Sequence, residues 1–310
     1  MQPLEYDAMN PSNRMKIALQ SPVNRSNRVQ HIAASTESFN QINMDILEQI
    51  VETKKKHVAD CQAIYPVAFL EKSIYFPTKP VSLSRYILRD DKVGIIAEIK
   101  RKSPSKGIFK SEPDLERLSV GYMQAGASAL SVLTDQPYFG GSNSDLTAAR
   151  RFNYCPILRK DFIISEYQIL ESKSIGADAI LLIAKILTRE EIIRFTDLAH
   201  TLGMEVLLEF YDEQELDRYY PEVDVIGINN RNLNDFEVSF QRAIEMSKLL
   251  PPSALKVAES GIKSPEDVML LRENGFDGFL IGETFMREAA PEEACRIFIN
   301  RIEKLRNIKA

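Results

Sequence analysis

Residues 95–107 read IIAEIKRKSPSKG, an apolar run that changes abruptly into a dense set of charges. The apolar and β-branched residues at 93–99 are typical of a strand that is covered on both faces. Side chains alternate along a strand, so we expect Glu98 and Lys100 to point to the same side. Burying both charges is costly unless they pair or meet a charged ligand. We therefore interpret this strand end as part of a functional site, with a structural ion pair as the alternative.

From residue 93 onward the chain alternates between strand patterns and helix patterns. Strands are predicted at 93–99, 129–133, 156–159, 178–183, 205–209, 223–228, 255–259 and 277–281. Helices are predicted between them at 113–125, 143–150, 166–175, 189–202, 212–219, 239–249 and 265–274, with a last one at 291–306. Eight such units predict an α/β fold, a closed (β/α)8 barrel. A doubly wound open sheet is the alternative, but it usually carries a Gly-x-Gly-x-x-Gly motif, which does not occur in this sequence.

Helix-end signals support these boundaries. Gly126, Gly176, Gly203 and Gly275 each follow a predicted helix and precede the next strand, the position at which glycine commonly ends a helix. Pro265 occupies the first turn of its predicted helix, where a missing N–H costs nothing.

The chain is divided into two parts. Residues 1–43 are polar, and we expect a flexible tail. The basic, acid-free stretch 10–36 loosely resembles an organellar transit peptide; a later start at Met15 or Met44, or a non-native extension, is an equal candidate. Residues 44–310 form the predicted barrel domain, including an N-terminal helical extension that closes one end of the fold.

Composition excludes several function classes. The net charge is −5 and no long basic block occurs, which argues against nucleic acid as a partner. No apolar run approaches the length of a membrane helix, so we expect no membrane partner. Three widely spaced cysteines and three histidines predict neither a disulfide framework nor a metal site. A reducing, cytoplasmic location fits this cysteine usage, with organellar import as the alternative.

Charged and polar residues follow the predicted strands at the end where a barrel builds its active site. This set comprises Glu98, Lys100, Lys160, Glu209, Asn229, Arg231, Glu259 and Ser260. Strand ends are often polar only because they meet solvent. Here two Lys–Glu sets occupy alternate strand positions that are predicted to point into the barrel, and this favours a functional interpretation.

The loops after strands seven and eight are the usual phosphate site of such barrels. Gly261 and Gly282 in these loops allow an anion to approach backbone N–H groups closely. A phosphorylated sugar is therefore the expected ligand class, and Lys100 with the 103–107 loop adds positive charge. Phe139 and Phe162 are predicted to wall an apolar pocket for an aromatic group, with plain packing as the alternative.

Six motifs occur together in one order and carry a resemblance to a known family. They are Glu98-Ile-Lys-Arg-Lys-Ser-Pro-Ser105, Leu133-Thr-Asp-x-x-Tyr-Phe-Gly-Gly-Ser142, Leu158-Arg-Lys-Asp-Phe162, Ile228-Asn-Asn-Arg-x-Leu233, Ala258-Glu-Ser-Gly261 and Leu280-Ile-Gly-Glu-x-x-Met286. Together they resemble indole-3-glycerol phosphate synthase over about residues 44–306. Each motif alone is modest, but the ordered set is specific.

The resemblance implies a lyase of tryptophan biosynthesis that uses no cofactor. Its substrate is 1-(2-carboxyphenylamino)-1-deoxyribulose 5-phosphate, and ring closure, decarboxylation and dehydration yield indole-3-glycerol phosphate. By this resemblance Lys160 is the general acid and Glu209 the general base. Glu98 sets the charge of the lysine and assists dehydration, and Lys100 binds substrate anions and shares acid duty.

The resemblance also implies a set of substrate contacts. Ser103, Phe139, Asn229, Arg231 and Glu259 are the expected substrate-binding residues, and Lys100, Ser260, Gly261, Gly282 and Glu283 the expected phosphate-binding residues. Glu283 stands where some relatives carry serine. A carboxylate repels phosphate, so only its backbone N–H is expected to help.

Two alternative functions remain on the basis of the sequence alone. Phosphoribosylanthranilate isomerase is a similar phosphate-binding barrel, but it uses a cysteine near the first strand, where this chain has Glu-Ile-Lys. A non-catalytic phosphate-binding barrel would not need both Lys160 and Glu209. We expect a monomer that acts on a small phosphorylated molecule, with a weak homodimer as the alternative.

Overall fold

The computed structural model describes residues 45–104, 106–110, 112–231 and 237–309. The predicted tail at 1–43 lies outside the described residues. Asp45–Ala310 forms one compact unit, which is the part of the chain considered below.

Within these residues, eight parallel strands close into a barrel and follow one another around it in chain order. They are β1 (Ile95–Ile99), β2 (Ala129–Leu133), β3 (Ile157–Lys160), β4 (Ala179–Ile183), β5 (Glu205–Phe210), β6 (Val225–Asn229), β7 (Lys256–Glu259) and β8 (Gly278–Ile281). The last strand pairs with the first, with Ile95 opposite Phe279. The predicted (β/α)8 barrel is thereby confirmed, and the open-sheet alternative is excluded.

Helices precede and separate the strands. They are α1 (Ile46–Ile64), α2 (Val67–Leu70), α3 (Leu83–Ile87), α4 (Leu115–Gln124), α5 (Gln136–Phe139), α6 (Asn143–Phe152), α7 (Glu166–Ser174), α8 (Arg189–Thr201), α9 (Phe240–Ser247), α10 (Pro265–Glu273), α11 (Glu283–Met286) and α12 (Pro291–Lys309). Short side chains cap many of them; Asp45 and Glu48, for example, form a reciprocal capping box at the start of α1. The four glycines expected at helix ends all have positive φ, which confirms that prediction.

Several predicted boundaries differ from the structure by a few residues, and two of the differences have local causes. The first strand starts at Ile95 rather than at residue 93, because Gly94 has φ +70° and leaves the extended region. The segment predicted as an α-helix at 212–219 is a 3₁₀ helix, Glu213–Arg218. There the Asp212 side chain accepts a hydrogen bond from the Gln214 N–H, a local contact that competes with α-helical pairing.

The inward-facing side chains of the barrel are arranged in layers. Ile96, Leu158, Leu207 and Val257 belong to one buried apolar cluster inside the barrel. Side chains alternate along a strand, so the residues two positions further on, Glu98, Lys160, Glu209 and Glu259, also face inward and lie one layer nearer the C-terminal mouth. An apolar layer thus supports a charged layer.

The sequence predicts that the N-terminal extension closes one end of the barrel. In the structure this extension contributes to both ends. Leu83 and Ile87 of α3 join the apolar cluster inside the barrel. Glu205, the first residue of β5, anchors this helix by accepting hydrogen bonds from Ser84 N at 2.7 Å and Ser84 Oγ at 2.9 Å. Helix α1 instead lines the cavity at the opposite end.

Candidate active site

A cavity of about 510 Å³ opens at the C-terminal ends of the strands. Every site residue predicted from the sequence lines it: Glu98, Lys100, Ser103, Phe139, Lys160, Glu209, Asn229, Arg231, Glu259, Ser260, Gly261, Gly282 and Glu283. The barrel topology therefore assembles these residues at one mouth although they span most of the chain.

The Lys160 ammonium lies between two carboxylates at the base of the cavity. Its Nζ is 2.6 Å from Glu209 Oε2 and 2.7 Å from Glu259 Oε2. Both carboxylates are almost completely buried, whereas the lysine is slightly more accessible from the cavity. Ion pairs this deep keep their full charge interaction because little water screens them.

These contacts shift the protonation equilibria of the three groups. Burial disfavours a charged lysine, but the carboxylates of Glu209 and Glu259 outweigh burial and raise the pKa of Lys160 well above its usual value. Burial likewise opposes ionisation of Glu209, but the Lys160 charge lowers the pKa of that carboxyl below its usual value. Lys160 is therefore protonated and Glu209 ionised at neutral pH.

Glu259 behaves differently from Glu209 although both contact the same lysine. Burial, followed by repulsion from Glu209, raises the pKa of Glu259 to about 8. Its Oε1 atom is buried and, among the described residues, has no hydrogen-bond partner, which further disfavours the charged form. Protonation is therefore easier at Glu259 than at Glu209.

A second cation–carboxylate pair lies beside the first. Lys100 Nζ is 2.8 Å from Glu98 Oε1, so the parity expected for these two residues is correct. Lys100 also lies over the Phe109 ring, 5.5 Å from its centroid. The Glu98 carboxylate packs against Gly282, where an added Cβ would lie 2.4 Å from Glu98 Oε1. Only glycine fits at that position.

Asn229 connects the carboxylate layer to the rim. Its Nδ2 donates to Glu209 Oε1 at 2.6 Å, and its Oδ1 accepts from the Arg231 backbone N–H at 3.0 Å. The Asn229 amide therefore orients the Glu209 carboxylate and the start of the loop after β6 at the same time.

The loop after β7 begins with two consecutive residues in the left-handed region of φ, and it contacts the loop after β8. Ser260 has φ +68°, and among the described residues it is the non-glycine residue with positive φ. Such strain is concentrated at functional sites. Gly261 follows with φ +74°. Thr284 joins the two loops by donating its hydroxyl to the Ile262 carbonyl at 2.6 Å.

An aromatic wall faces this charged layer. Phe139 and Phe162 both line the cavity, with ring centroids 6.0 Å apart. Behind the wall, Lys54 of α1 pairs with Asp135 at 2.9 Å and Asp161 at 2.7 Å, and all three side chains are buried. These pairs join α1 to both loops that carry the phenylalanines.

Several cavity residues were missed from the sequence. Tyr211 lines the cavity and hydrogen-bonds to Glu209; it lies two residues after Glu209, so strand parity was a usable signal. Ile46, Leu47 and Ile50 come from α1, and Arg287 lies one turn beyond Glu283. Nothing in their local pattern separates the α1 residues from an ordinary helix face.

Other kinds of centre find no support in the described part of the chain. It contains no group of three or more His, Cys, Asp or Glu side chains arranged to hold a metal ion. None of its helices is both long and apolar enough to cross a membrane. The three cysteines are free, and none of them lines the cavity.

Fold and site together define the class of α/β-barrel proteins with a cavity of paired lysines and glutamates at the barrel mouth, where barrel enzymes have their active sites. Solved structures agree on the fold: the alpha subunit of tryptophan synthase from Legionella pneumophila superposes with a TM-score of 0.54 at 14% identity, covering 72% of this chain and 98% of that one. Thiamine phosphate pyrophosphorylase from Pyrococcus furiosus gives a TM-score of 0.51 at 13% identity, covering 69% and 98%.

Sequence comparison identifies the family. A family model described as indole-3-glycerol phosphate synthase matches residues 47–298. Proteins of that name from Bacteroides thetaiotaomicron and Acinetobacter baylyi are 44% and 39% identical, covering 84% and 82% of this chain and 99% and 95% of theirs. The chain belongs to the indole-3-glycerol phosphate synthase family.

Proposed function

We propose that this chain converts 1-(2-carboxyphenylamino)-1-deoxyribulose 5-phosphate into indole-3-glycerol phosphate, CO2 and water. The observation that carries the proposal is the Lys160 ammonium held between Glu209 and Glu259 at the base of the cavity. Ring closure needs a proton donor at the ribulose carbonyl oxygen, and aromatisation needs a proton acceptor. This layer supplies both.

Lys160 acts as the general acid. The ring carbon that bears the carboxylate attacks the ribulose carbonyl, and Lys160 gives its proton to the developing oxyanion. Loss of CO2 follows from the same ring carbon. The surrounding carboxylates keep Lys160 charged until the oxyanion forms.

Glu209 acts as the general base and Glu98 assists dehydration. Glu209 takes a proton as the hydroxyl departs as water and the indole ring becomes aromatic. The Lys160 charge and the Asn229 amide keep Glu209 ionised and oriented for this step. Lys100, paired with Glu98, shares acid duty at the departing hydroxyl and binds substrate anions.

The substrate phosphate binds at the loops after β7 and β8. The backbone around Ser260, Gly261 and Gly282 offers N–H groups, and the two glycines add no side chain of their own. Glu283 contributes its backbone N–H at this end. Phosphate binding is a proposal supported by loop shape and by the cations at the rim.

The remaining contacts orient the substrate. Phe139 and Phe162 pack on its aromatic ring, and Ser103 contacts the ring carboxylate. Arg231 and Glu259 position the sugar and amine portions. Opposite ends of the cavity thus bind the aromatic ring and the phosphate, and the charged layer lies between them.

The reaction so described uses no cofactor and no metal. All proposed contacts come from one chain, so a monomer suffices. The three free cysteines fit a cytoplasmic location. The family match begins at residue 47, so the proposal concerns the barrel domain at 44–310 and gives the predicted tail at 1–43 no role in catalysis.

The test is indole fluorescence when purified protein meets the carboxyphenylamino-deoxyribulose phosphate, with Lys160→Met assayed beside the wild type and circular dichroism confirming that both fold. Product from the wild type alone is the expected result. Product from both proteins would support the proposed reaction but would indicate that Lys100, and not Lys160, is the general acid. No product from folded wild-type protein would overturn the proposal.

A further inference from the structure

One carboxylate at the rim of the cavity contacts two guanidiniums. Glu283 Oε1 is 2.5 Å from an Nη atom of Arg287, and Glu283 Oε2 is 3.6 Å from an Nη atom of Arg231. All three residues line the cavity beside the two glycine loops. Arg231 follows β6, whereas Glu283 and Arg287 follow β8, so the contact joins separate parts of the barrel.

This arrangement changes the electrostatics expected at the phosphate end. A carboxylate alone would repel a phosphate, but here its charge is matched by Arg287. Arg231 and Lys263 also line the cavity, and the Glu98 carboxylate beside Gly282 is matched by Lys100, so cations outnumber carboxylates at this end. The excess of positive charge complements a phosphate monoester, which is mostly a dianion at neutral pH.

We propose that Arg287 is a further phosphate-binding residue, and that Glu283 is a positioning residue that holds the Arg287 guanidinium at the rim. This inference rests on the proposed function, which supplies the phosphorylated substrate. A guanidinium has five N–H donors, so Arg287 keeps donors for phosphate while it contacts Glu283. Its side chain is 51% exposed, and holding it in advance reduces the ordering cost of binding.

The first experiment measures inorganic phosphate binding by calorimetric titration at low salt, which requires no turnover. Arg287→Met is compared with wild type and, in a second pair, with Glu283→Gln as the background. This design matters because Arg287→Met also leaves Glu283 unneutralised, and that repulsion alone would weaken phosphate binding. The Glu283→Gln background removes the repulsion.

We expect Arg287→Met to weaken phosphate binding about tenfold in the wild-type background, which corresponds to the loss of one charge-assisted hydrogen bond. In the Glu283→Gln background we expect a smaller but clear loss of affinity. We expect the same substitution to raise KM for the substrate while kcat stays nearly constant. Arg296→Met is the matched control: Arg296 is 52% exposed and pairs with Glu293 at 2.5 Å, but does not line the cavity.

Two results would overturn the Arg287 assignment. One is unchanged phosphate binding in Arg287→Met; the other is a loss in the wild-type background that disappears in Glu283→Gln, which would mean that Arg287 only neutralises Glu283. Wild-type protein that binds phosphate through Arg287 but forms no product would support this inference and overturn only the proposed function.

The positioning role of Glu283 has its own readout. Nitrogen-15 relaxation of the Arg287 Nε–H group in the ligand-free protein reports how firmly the guanidinium is held. We expect Glu283→Gln to increase the mobility of this group while the Arg296 Nε–H signal stays unchanged. Equal Arg287 mobility in both proteins would overturn the positioning role.

Discussion

Lys54 and Asp161 form a buried ion pair, with 2.7 Å between Nζ and Oδ1, that joins α1 to the loop after β3. The same ammonium contacts Asp135, which caps α5 by accepting from the Tyr138 N–H. Asp161 follows Lys160 directly and precedes Phe162. A side chain in the N-terminal extension therefore holds the backbone next to the proposed acid and both sides of the aromatic wall.

We expect Lys54→Met to raise KM and lower stability. Removing Lys54 leaves the buried Asp135 carboxylate without this cation, whereas Asp161 keeps Arg159 at 3.2 Å. An uncompensated buried charge costs about 3 to 5 kcal/mol. Steady-state kinetics and urea unfolding measure the two effects. Lys55→Met is the matched control, because Lys55 is 60% exposed and pairs with Glu52 across one turn of the helix surface.

In the Lys54 experiment, Lys54→Arg tests whether the charge itself is needed. An arginine keeps the cation near both aspartates and should restore part of the stability. If Lys54→Met showed wild-type KM in protein that remains folded, the link from α1 to the aromatic wall would have no role in substrate binding.

Lys54 also illustrates what the sequence did not reveal. It is the first of three consecutive lysines in a helix with mixed charges, and Lys55 and Lys56 are indeed exposed. Local pattern cannot distinguish the buried one, because its partners lie far along the chain. Its burial depends on the tertiary packing of α1 over the barrel mouth.

The charged layer was predictable for the opposite reason. Strand parity and the order of the strands are local properties, and they placed Glu98, Lys160, Glu209 and Glu259 on the inner face. What they could not supply is distance. The contacts of Lys160 with both Glu209 and Glu259, and the opposite pKa shifts of these two carboxyls, depend on side-chain packing inside the closed barrel.

Lys100→Met should raise KM more than it lowers kcat. Lys100 lies at the cavity wall, and the variant removes one positive charge that faces the substrate anions. Loss of one charge-assisted contact predicts about a tenfold increase in KM. Lys102→Met is the control within the same loop, because the Lys102 ammonium donates to the Pro137 carbonyl at 2.7 Å and does not line the cavity. Unchanged affinity for the product in Lys100→Met would remove the anion-binding role.

Glu259 should make the protein less stable as the pH rises. Burial and Glu209 raise its folded-state pKa to about 8, from an ordinary value of 4.5. Between these values the native state keeps a proton that the unfolded chain releases, so the free energy of unfolding falls with increasing pH. Glu259→Gln cannot titrate and escapes this loss.

Thermal unfolding of wild type and Glu259→Gln at several values between pH 5 and pH 8 measures this contribution, because groups that do not interact with Glu259 cancel in the difference. We expect the difference to shift in favour of the variant by on the order of 1 kcal/mol for each pH unit. A difference that stays constant over this range would mean that Glu259 is already ionised at pH 5 in the folded protein.

Gly261→Ala should damage both stability and substrate binding. Gly261 has φ +74°, and an added Cβ would lie 2.3 Å from Val238 Cγ1. Val238 forms a β-bridge with Arg231, so relief of the clash must disturb the rim of the cavity. Gly275→Ala is the matched control, since its φ is +86° and an added Cβ meets no atom within 4 Å.

The control isolates the conformational cost of alanine at positive φ, about 1 to 2 kcal/mol, with no change in KM. Gly261→Ala should lose more stability than this and raise KM in addition. The double variant Gly261→Ala with Val238→Ala removes the methyl groups that clash, so it should recover part of the lost stability and lower KM again. If Gly261→Ala and Gly275→Ala lost equal stability and both kept wild-type KM, close packing of Gly261 against Val238 would not shape the proposed phosphate end of the cavity.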